Sequence, residues 1–485
     1  MRTLTFHPIR KATTLPIRQP ARPYRHDNLS AIRAHIAKWS DSLAPFPRLA
    51  YIRTMRPVRL ITTALLTVCL SSCSSDQTTD EPVIPKGAIE QRDGFTIVWL
   101  HGTPYEMGYQ HGTLLREQLR EAAQVVLNEG LFKILKNAAK IAKLDEVALA
   151  NSYPWLLEEC KGMVKAVDDP DFQMFECVLI NFGDVAVEFL NYGMPQFEDI
   201  APGCSQVVAT GSATSDGSLY HARVLDWYAV DFVVNNPVIF VRQPKDGIPH
   251  LFVGFPGNLS SYQGMNAEGI VVASNEVNPR DTTVNDLTGR SHVQMVVEIL
   301  THASSLDEAR TIVKTSNHMS LETLVVSDGK QKTAEVFELA PAQVGVRPLK
   351  DDVVYATNHF VESNTADLDA EKPNKSTYLR WDRLTQLVTK DGAESKWGKL
   401  NPETLIAVMR DRVNPETGQP VPDDIVDNGE SLATNGALYQ VVFAPETLSL
   451  WVAAGKIPVP SQPFVGFNLG ELLHREGYST PATLP

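Results

Sequence analysis

The chain has 485 residues, 43% hydrophobic and 21% charged, an ordinary globular balance with room for one large domain or two of common size. Its net charge of −13 is unevenly divided, because residues 1–72 carry +10 and the remainder carries −23. A body this acidic argues against nucleic acid as a partner, since phosphate contacts need clustered Lys and Arg.

The basic first segment does not read as a domain. From Met55 the sequence runs "MRPVRLITTALLTVCLSSC": Arg56 and Arg59 precede an apolar core from Leu60 to Leu70. That core is too short for a bilayer, which takes about 20 residues, and has the length of a signal-peptide core. Leu70-Ser71-Ser72-Cys73 resembles the lipobox of bacterial lipoproteins. The resemblance implies cleavage before Cys73, a lipid on its sulfur, and an exported protein anchored to a bacterial membrane, facing the periplasm or in the outer membrane. An ordinary secretory signal with an incidental cysteine is the alternative. On the lipoprotein reading, residues 55–72 are the signal and Met55 is the initiator. Residues 1–54 are then an upstream over-call of the start, or else a long n-region or transit peptide. Residues 73–92 begin with the lipidated cysteine and a polar tether.

Residues 93–101 predict a strand, and "GTPYEMG" turns into a helix from about Tyr105 to Asn128. Gly108 and Gly112 share one face of it and permit close packing. Further helices are expected over 131–142, 145–167 and 171–190, so the first third is mainly helical. Cys160 and Cys177 fall there; in an exported protein they either pair or stay as two buried thiols. Strands follow at 204–210 and 218–226 around a turn at Thr214 to Gly217, then at 237–242, 250–255 and 269–274. Helices fit 291–301 and 305–316, the second with Ser305 and Glu308 as a capping box. Strands return at 320–327, 333–338 and 353–357, then helices at 375–389 and 402–410. "LYQVVFAPETLSLWVAA" closes with two strands around a turn. The layout predicts an α+β body with a largely antiparallel sheet.

Cys204 stands directly after Gly203 at the head of an apolar strand. A thiol there is ordinarily a small core residue. Yet a glycine admits strained backbone, and a strained Gly-Cys peptide can be attacked by its own thiol to give a thioester that water opens. The second chain then starts at Cys204, with an α-amino group of pKa about 8 beside the thiol to act as its base. Arg223 and Asp226 on the returning strand come back beside Cys204, where a guanidinium favours thiolate and a carboxylate orients the amine. A surface ion pair is the plain alternative. His101, His111, His221 and His359 match no standard metal spacing and read as packing residues. Trp227, Tyr228 and Phe232 are either core or the wall of an acyl pocket.

"GCSQVVATG…DGSLYHARVLDW" resembles the β-chain opening of N-terminal-nucleophile cysteine hydrolases, closest to the autoproteolytic acyl-CoA:6-aminopenicillanate acyltransferase-like group. Choloylglycine hydrolase, penicillin V acylase and acid ceramidase are more distant. "LHGTPYEMGYQHGTLL", "YQGMNAEGIVVASNEVN", "YATNHF" and "STYLRWDRL" are similar to family elements in the family's order. The resemblance implies a four-layer αββα fold and self-cleavage between Gly203 and Cys204. It implies an α chain of 93–203 that stays associated with a β chain of 204–485. The activity implied is hydrolysis of a linear amide through a thioester, or acyl transfer, on a small-molecule amide with no cofactor and no metal; a catalytically silent binding lipoprotein that keeps the fold is the alternative. Cys204 becomes the nucleophile and Arg223 with Asp226 the family's Arg-x-x-Asp pair. Asn275 becomes an oxyanion or substrate contact, with a backbone N–H near Glu276 as the alternative donor. Asn358 completes the oxyanion hole, and Arg380 supports the site. The spacing from Cys204 to Arg223 is longer than in the bile-acid and ceramide branches, which requires a longer hairpin in register.

Overall fold

The computed structural model describes residues 86–125, 143–182, 203–226, 231–280, 284–369, 375–421, 430–433 and 437–485, with isolated positions between 133 and 140. The signal segment, Cys73 and most of the helix expected over 131–142 lie outside the described residues, as do Trp227 and Tyr228.

In chain order, β1 (Ala88–Arg92) and β2 (Phe95–Gly102) lead into α1 (Pro104–Leu114), α2 (Arg116–Val125), α3 (Leu144–Asn151), α4 (Pro154–Val167) and α5 (Met174–Ile180). The helix expected over 145–167 is two helices. Pro154 lacks an N–H and pushes the residue before it out of the helical region, and Tyr153 is extended at φ −62°, ψ 141°. Next come β3 (Cys204–Gly211), β4 (Gly217–Asp226), β5 (Val238–Pro244), β6 (His250–Gly254), β7 (Gln263–Asn266) and β8 (Ile270–Glu276). Helices α6 (His292–His302) and α7 (Leu306–Thr315) precede β9 (Glu322–Asp328), β10 (Thr333–Ala340), β11 (Gln343–Pro348) and β12 (Val353–Ala356). Helices α8 (Lys375–Val388) and α9 (Pro402–Met409) precede β13 (Ala437–Ala444), β14 (Ser449–Ala454) and β15 (Val465–Asn468). Only half of the capping box expected before α7 forms: Ser305 Oγ accepts from the Glu308 N–H, while the Glu308 carboxylate bonds Ser304.

Two sheets result. One has nine strands in the order β1-β2-β5-β6-β7-β8-β9-β10-β11, and the other has six in the order β12-β3-β4-β13-β14-β15. Pairing is antiparallel except between β2 and β5. Successive residues of the strands point to opposite faces, and both faces are apolar. Ile97, Ile239, Val241 and Val271 of the larger sheet meet Leu225, Val441 and Phe443 of the smaller one. Their neighbours Val98 and Phe240 face α1, α2 and α4, while Val272 faces α6 and α7. On the far side, Val207, Val224 and Val442 pack on α8 and α9. The order is therefore helices, sheet, sheet, helices, the four-layer αββα arrangement.

The helical layer is locked by contacts that only glycine permits. A methyl at Gly108 would stand 1.9 Å from the Glu159 carbonyl oxygen of α4, and one at Gly162 would stand 2.1 Å from the Tyr105 carbonyl oxygen of α1. Of the two states left open for Cys160 and Cys177, the structure has the disulfide, joining α4 to α5. We expect Gly108→Ala to destabilise the chain by about 3 kcal/mol, the upper end of the overpacking range, read as a lower urea midpoint at unchanged slope.

Candidate active site

Cys204 opens β3 and lies opposite Leu225 of β4, so Gln206 lies opposite Arg223. By strand alternation Cys204 and Gln206 face the space between the sheets, and Arg223 shares it. The long spacing from Cys204 to Arg223 is absorbed by an irregularity between Ala209 and Gly211, and the register beyond it holds. Arg223 Nη2 approaches Cys204 Sγ at 3.6 Å and donates to the Ser274 carbonyl of β8 at 2.5 Å, while Nη1 donates to Gln263 Oε1 of β7 at 2.7 Å. The Arg223 guanidinium thus reaches from the smaller sheet to the larger one, fully buried.

The peptide on either side of the thiol is held separately. The Gly203 carbonyl oxygen accepts from the Asp226 backbone N–H at 2.9 Å. The Cys204 N–H donates to Asn358 Oδ1 at 2.8 Å, and the Cys204 carbonyl accepts from Arg380 Nη1. Arg380 comes from α8, on the helical side of the smaller sheet. Its Nη2 donates to Asn358 Oδ1 at 2.8 Å, and its other bonds go to Ser205 Oγ and Ser376 Oγ. Gly203 is closely approached: a methyl there would stand 3.2 Å from Arg380 Nη2 and 3.3 Å from Asp226 Oδ2, so those side chains would have to give by a few tenths of an ångström.

The structure therefore brings Gly203, Cys204, Arg223, Asp226, Asn358 and Arg380 into one cluster. Asn275 lies beside it with its amide engaged elsewhere. Its Oδ1 accepts from Gln206 Nε2 at 2.6 Å and its Nδ2 donates to the Thr357 carbonyl at 3.1 Å, so it ties the two sheets together. Asn358 Nδ2, expected to face an oxyanion, donates to the Glu276 carbonyl at 2.8 Å. His221 sits between Ser327 Oγ and Gln206 Oε1. Burial, and to a lesser degree Arg223, push its imidazole down to about 3, so it is neutral. His111 accepts from the Gly257 N–H, His101 meets the Lys86 carbonyl, and His359 lies against Thr357 and Thr377. Phe232 is core, packed in the cluster between the sheets.

Gln263, Ser205, Ser376 and Tyr439 were not singled out by sequence reasoning. Gln263 and Tyr439 meet Arg223, and Ser205 meets Arg380, only because distant segments converge, whereas Ser376 stands one turn before Arg380 on α8. Burial pushes the Tyr439 phenol up to about 12, opposed by Arg223 and Gln263 beside it.

Burial also pushes the Cys204 thiol up to about 11, against the lowering influence of Arg223; Asp226 adds to the rise, and Arg380 and the Asp226 N–H oppose it. In the continuous chain the thiol therefore keeps its proton at neutral pH. The cluster holds a protonated sulfur beside a cation, with the preceding carbonyl already polarised by an N–H donor.

A family model described as acyl-coenzyme A:6-aminopenicillanic acid acyl-transferase matches residues 213–456. That span takes in Arg223, Asp226, Asn275, Asn358 and Arg380 and begins downstream of Cys204. The chain is 25% identical over 317 residues to a protein of Archaeoglobus fulgidus described as uncharacterized, covering 57% of this chain and 52% of that one. It is 24% identical over 305 residues to protein dcd1B of Dictyostelium discoideum, covering 54% and 57%. The chain thus spans about half the length of the curated relatives it matches. Among solved structures it is similar to the Caenorhabditis elegans ortholog of N-acylethanolamine-hydrolyzing acid amidase, at 16% identity and TM-score 0.35, covering 50% of this chain and 93% of that one. It is also similar to a mutant conjugated bile acid hydrolase from Clostridium perfringens, at 12% identity and TM-score 0.34, covering 58% and 96%.

Alkylation of Cys204 by iodoacetamide in the uncleaved chain is expected to accelerate about tenfold per pH unit from pH 7 toward a midpoint near 11. Arg223→Met should slow it at every pH in that range, because the cation that favours thiolate is gone. A flat profile would show that the thiol is not held protonated.

Proposed function

Taking as premise that the chain belongs to the acyl-coenzyme A:6-aminopenicillanic acid acyl-transferase family and has the N-terminal-nucleophile hydrolase fold, we propose that it cleaves itself before Cys204 and then hydrolyses a linear amide through a thioester on that residue. The observation that carries this reading is the separate grip on two atoms of one residue. Arg223 stands at the sulfur of Cys204 and Asn358 at its nitrogen, the two atoms an N-terminal nucleophile must use.

In self-cleavage Cys204 Sγ adds to the Gly203 carbonyl carbon, and its proton passes to the departing nitrogen. The C–S bond forms as the C–N bond breaks. The Asp226 N–H, already on the Gly203 oxygen, supports the charge that develops there. Water then opens the thioester, leaving a Gly203 carboxylate, a free thiol and a new amine. That amine, with an ordinary pKa of about 8, is a base the continuous chain lacks. It takes the thiol proton when Sγ attacks a substrate amide and returns it to the leaving amine; water then releases the acid. Asn358 Oδ1 and the nearby Asp226 carboxylate hold the amine, and Arg380 fixes Asn358. The apolar surroundings of Cys204, with Leu225 opposite it on β4 and the Tyr439 ring nearby, suit an apolar acyl group.

The two segments would stay together, since β2 of the first is laddered to β5 of the second from Thr96↔Val238 to Gly102↔Pro244. Transfer of the acyl group to an amine in place of water is the second reading, favoured by the family's description. Hydrolysis is preferred for an exported protein, which meets abundant water and little acyl-CoA. Export with a lipid on Cys73 is part of the proposal, and the disulfide between Cys160 and Cys177 supports an oxidising compartment.

Intact-mass spectrometry of the wild type beside Cys204→Ala tests the central step. We expect the wild type to split into two chains, one beginning at Cys204, with the variant left whole. A wild type that stays uncut through long native incubation would falsify the mechanism. For the anchor, Cys73→Ala expressed in a bacterium should move the protein from the membrane fraction to the soluble one and abolish labelling by a radioactive fatty acid. Unchanged labelling would rule out Cys73 as the site.

A further inference from the structure

The large buried arginines of this fold divide by their partners. Arg242 pairs with Glu159 at 2.6 Å and Arg383 with Asp411 at 2.7 Å and Glu394 at 2.6 Å, while Arg380 donates to the Cys204 carbonyl, Asn358 Oδ1 and the Ser205 and Ser376 hydroxyls. Arg223 is as deeply buried, yet among the described residues no carboxylate lies in ion-pair contact with its guanidinium. It reaches Gln263 Oε1, the Ser274 carbonyl and Cys204 Sγ, with the neutral Tyr439 hydroxyl also beside it, and its Nε has no hydrogen-bond partner. Removing an ion from water without a counter-ion is costly. A fold that keeps such a cation beside a thiol has reserved the charge for an anion that forms at that place.

Gln263 is the side chain that makes this arrangement rigid. It is fully buried on β7 and paired with Ala273 of β8. Its Nε2 donates to the Val253 carbonyl at 3.2 Å, which turns Oε1 toward Arg223. Its backbone is further tied to the Ser261 hydroxyl, whose Oγ donates to the Gln263 carbonyl at 2.8 Å. On the other side the Tyr262 ring lies 5.9 Å from Arg223 Cζ. We propose that Gln263 is a positioning residue, a neutral anchor that aims the Arg223 guanidinium at Cys204 Sγ while leaving its charge unshared. The inference rests on reading Cys204 as the nucleophile. It explains why an amide stands where an isosteric carboxylate would solvate the arginine better: a carboxylate would neutralise the field that favours thiolate.

The test is the rate of Cys204 alkylation by iodoacetamide between pH 7.5 and 9.5 in the wild type, Gln263→Glu and Gln263→Met. Intact mass separates uncleaved from cleaved chains, so that like is compared with like, and thermal melts check folding. We expect Gln263→Glu to lower the rate about tenfold at each pH, with the same slope against pH, because a carboxylate on Arg223 shifts a neighbouring thiol by about one unit or more. Gln263→Met, which removes the anchor without adding charge, should lower it by a smaller factor. A merely structural role predicts the opposite sign, since loosened packing over a thiol only 5% exposed would let reagent in faster. Either variant, folded, reacting at or above the wild-type rate overturns the proposal. If Gln263→Glu does not fold, Gln263→Met decides alone. Slower alkylation in a protein that never cuts itself would sink the proposed function and leave this inference standing.

Discussion

The buried Arg223 guanidinium is the constraint around which the centre of this molecule is organised. It leaves β4 of the smaller sheet and ends on the Ser274 carbonyl and Gln263 amide of the larger one, touching the Cys204 sulfur on the way. A cation cannot lie between two apolar faces unless its donors are met, so both sheets must present acceptors at one height. That requirement helps set their relative position. The neighbouring bonds repeat the pattern. Gln206 reaches Asn275, Asn275 reaches the Thr357 carbonyl, and Asn358 reaches the Glu276 carbonyl. Apolar packing makes the sandwich, and this polar seam gives it one register. Asn275 shows why a motif position need not be a contact with the reacting atoms: its place in the seam accounts for both ends of its amide.

The Gly203–Cys204 peptide is gripped on both sides. Its carbonyl and amide meet the Asp226 N–H and Asn358, and Arg380 fixes the next carbonyl from the helical layer. Arginine and aspartate side chains crowd the glycine, so a larger residue there would have to push them back. The same logic governs α1 and α4, where Gly108 and Gly162 let two helices touch through their backbones. In both places the missing Cβ makes room for another group's hydrogen-bonding atoms.

Protonation follows from depth. Burial raises the Cys204 thiol and lowers the His221 and His111 imidazoles, so all three are uncharged at neutral pH. Arg242 meets its charge with Glu159, whereas Arg223 stands beside the thiol with neutral acceptors. Both bridge layers of the fold, one through a carboxylate and the other without one.

Much of this was legible in the sequence. Largely apolar runs at 204–210, 218–226, 237–242 and 269–274 mark strands, because a strand covered on both faces is apolar along most of its length. The order of the motifs named the family, and Gly203-Cys204 with Arg223 and Asp226 marked the site, because a hairpin returns its second strand beside its first. Local chemistry also sets the ends of helices, although the single helix expected over 145–167 overlooks Pro154, which divides α3 from α4. The tertiary structure alone decided what Gln263 and Ser205 do, that Asn275 is tied to Gln206 and Thr357, and that Cys160 and Cys177 pair. Each of those facts depends on segments far apart in the chain arriving at one point. Sequence periodicity records which face of an element is buried, and not which other element covers it.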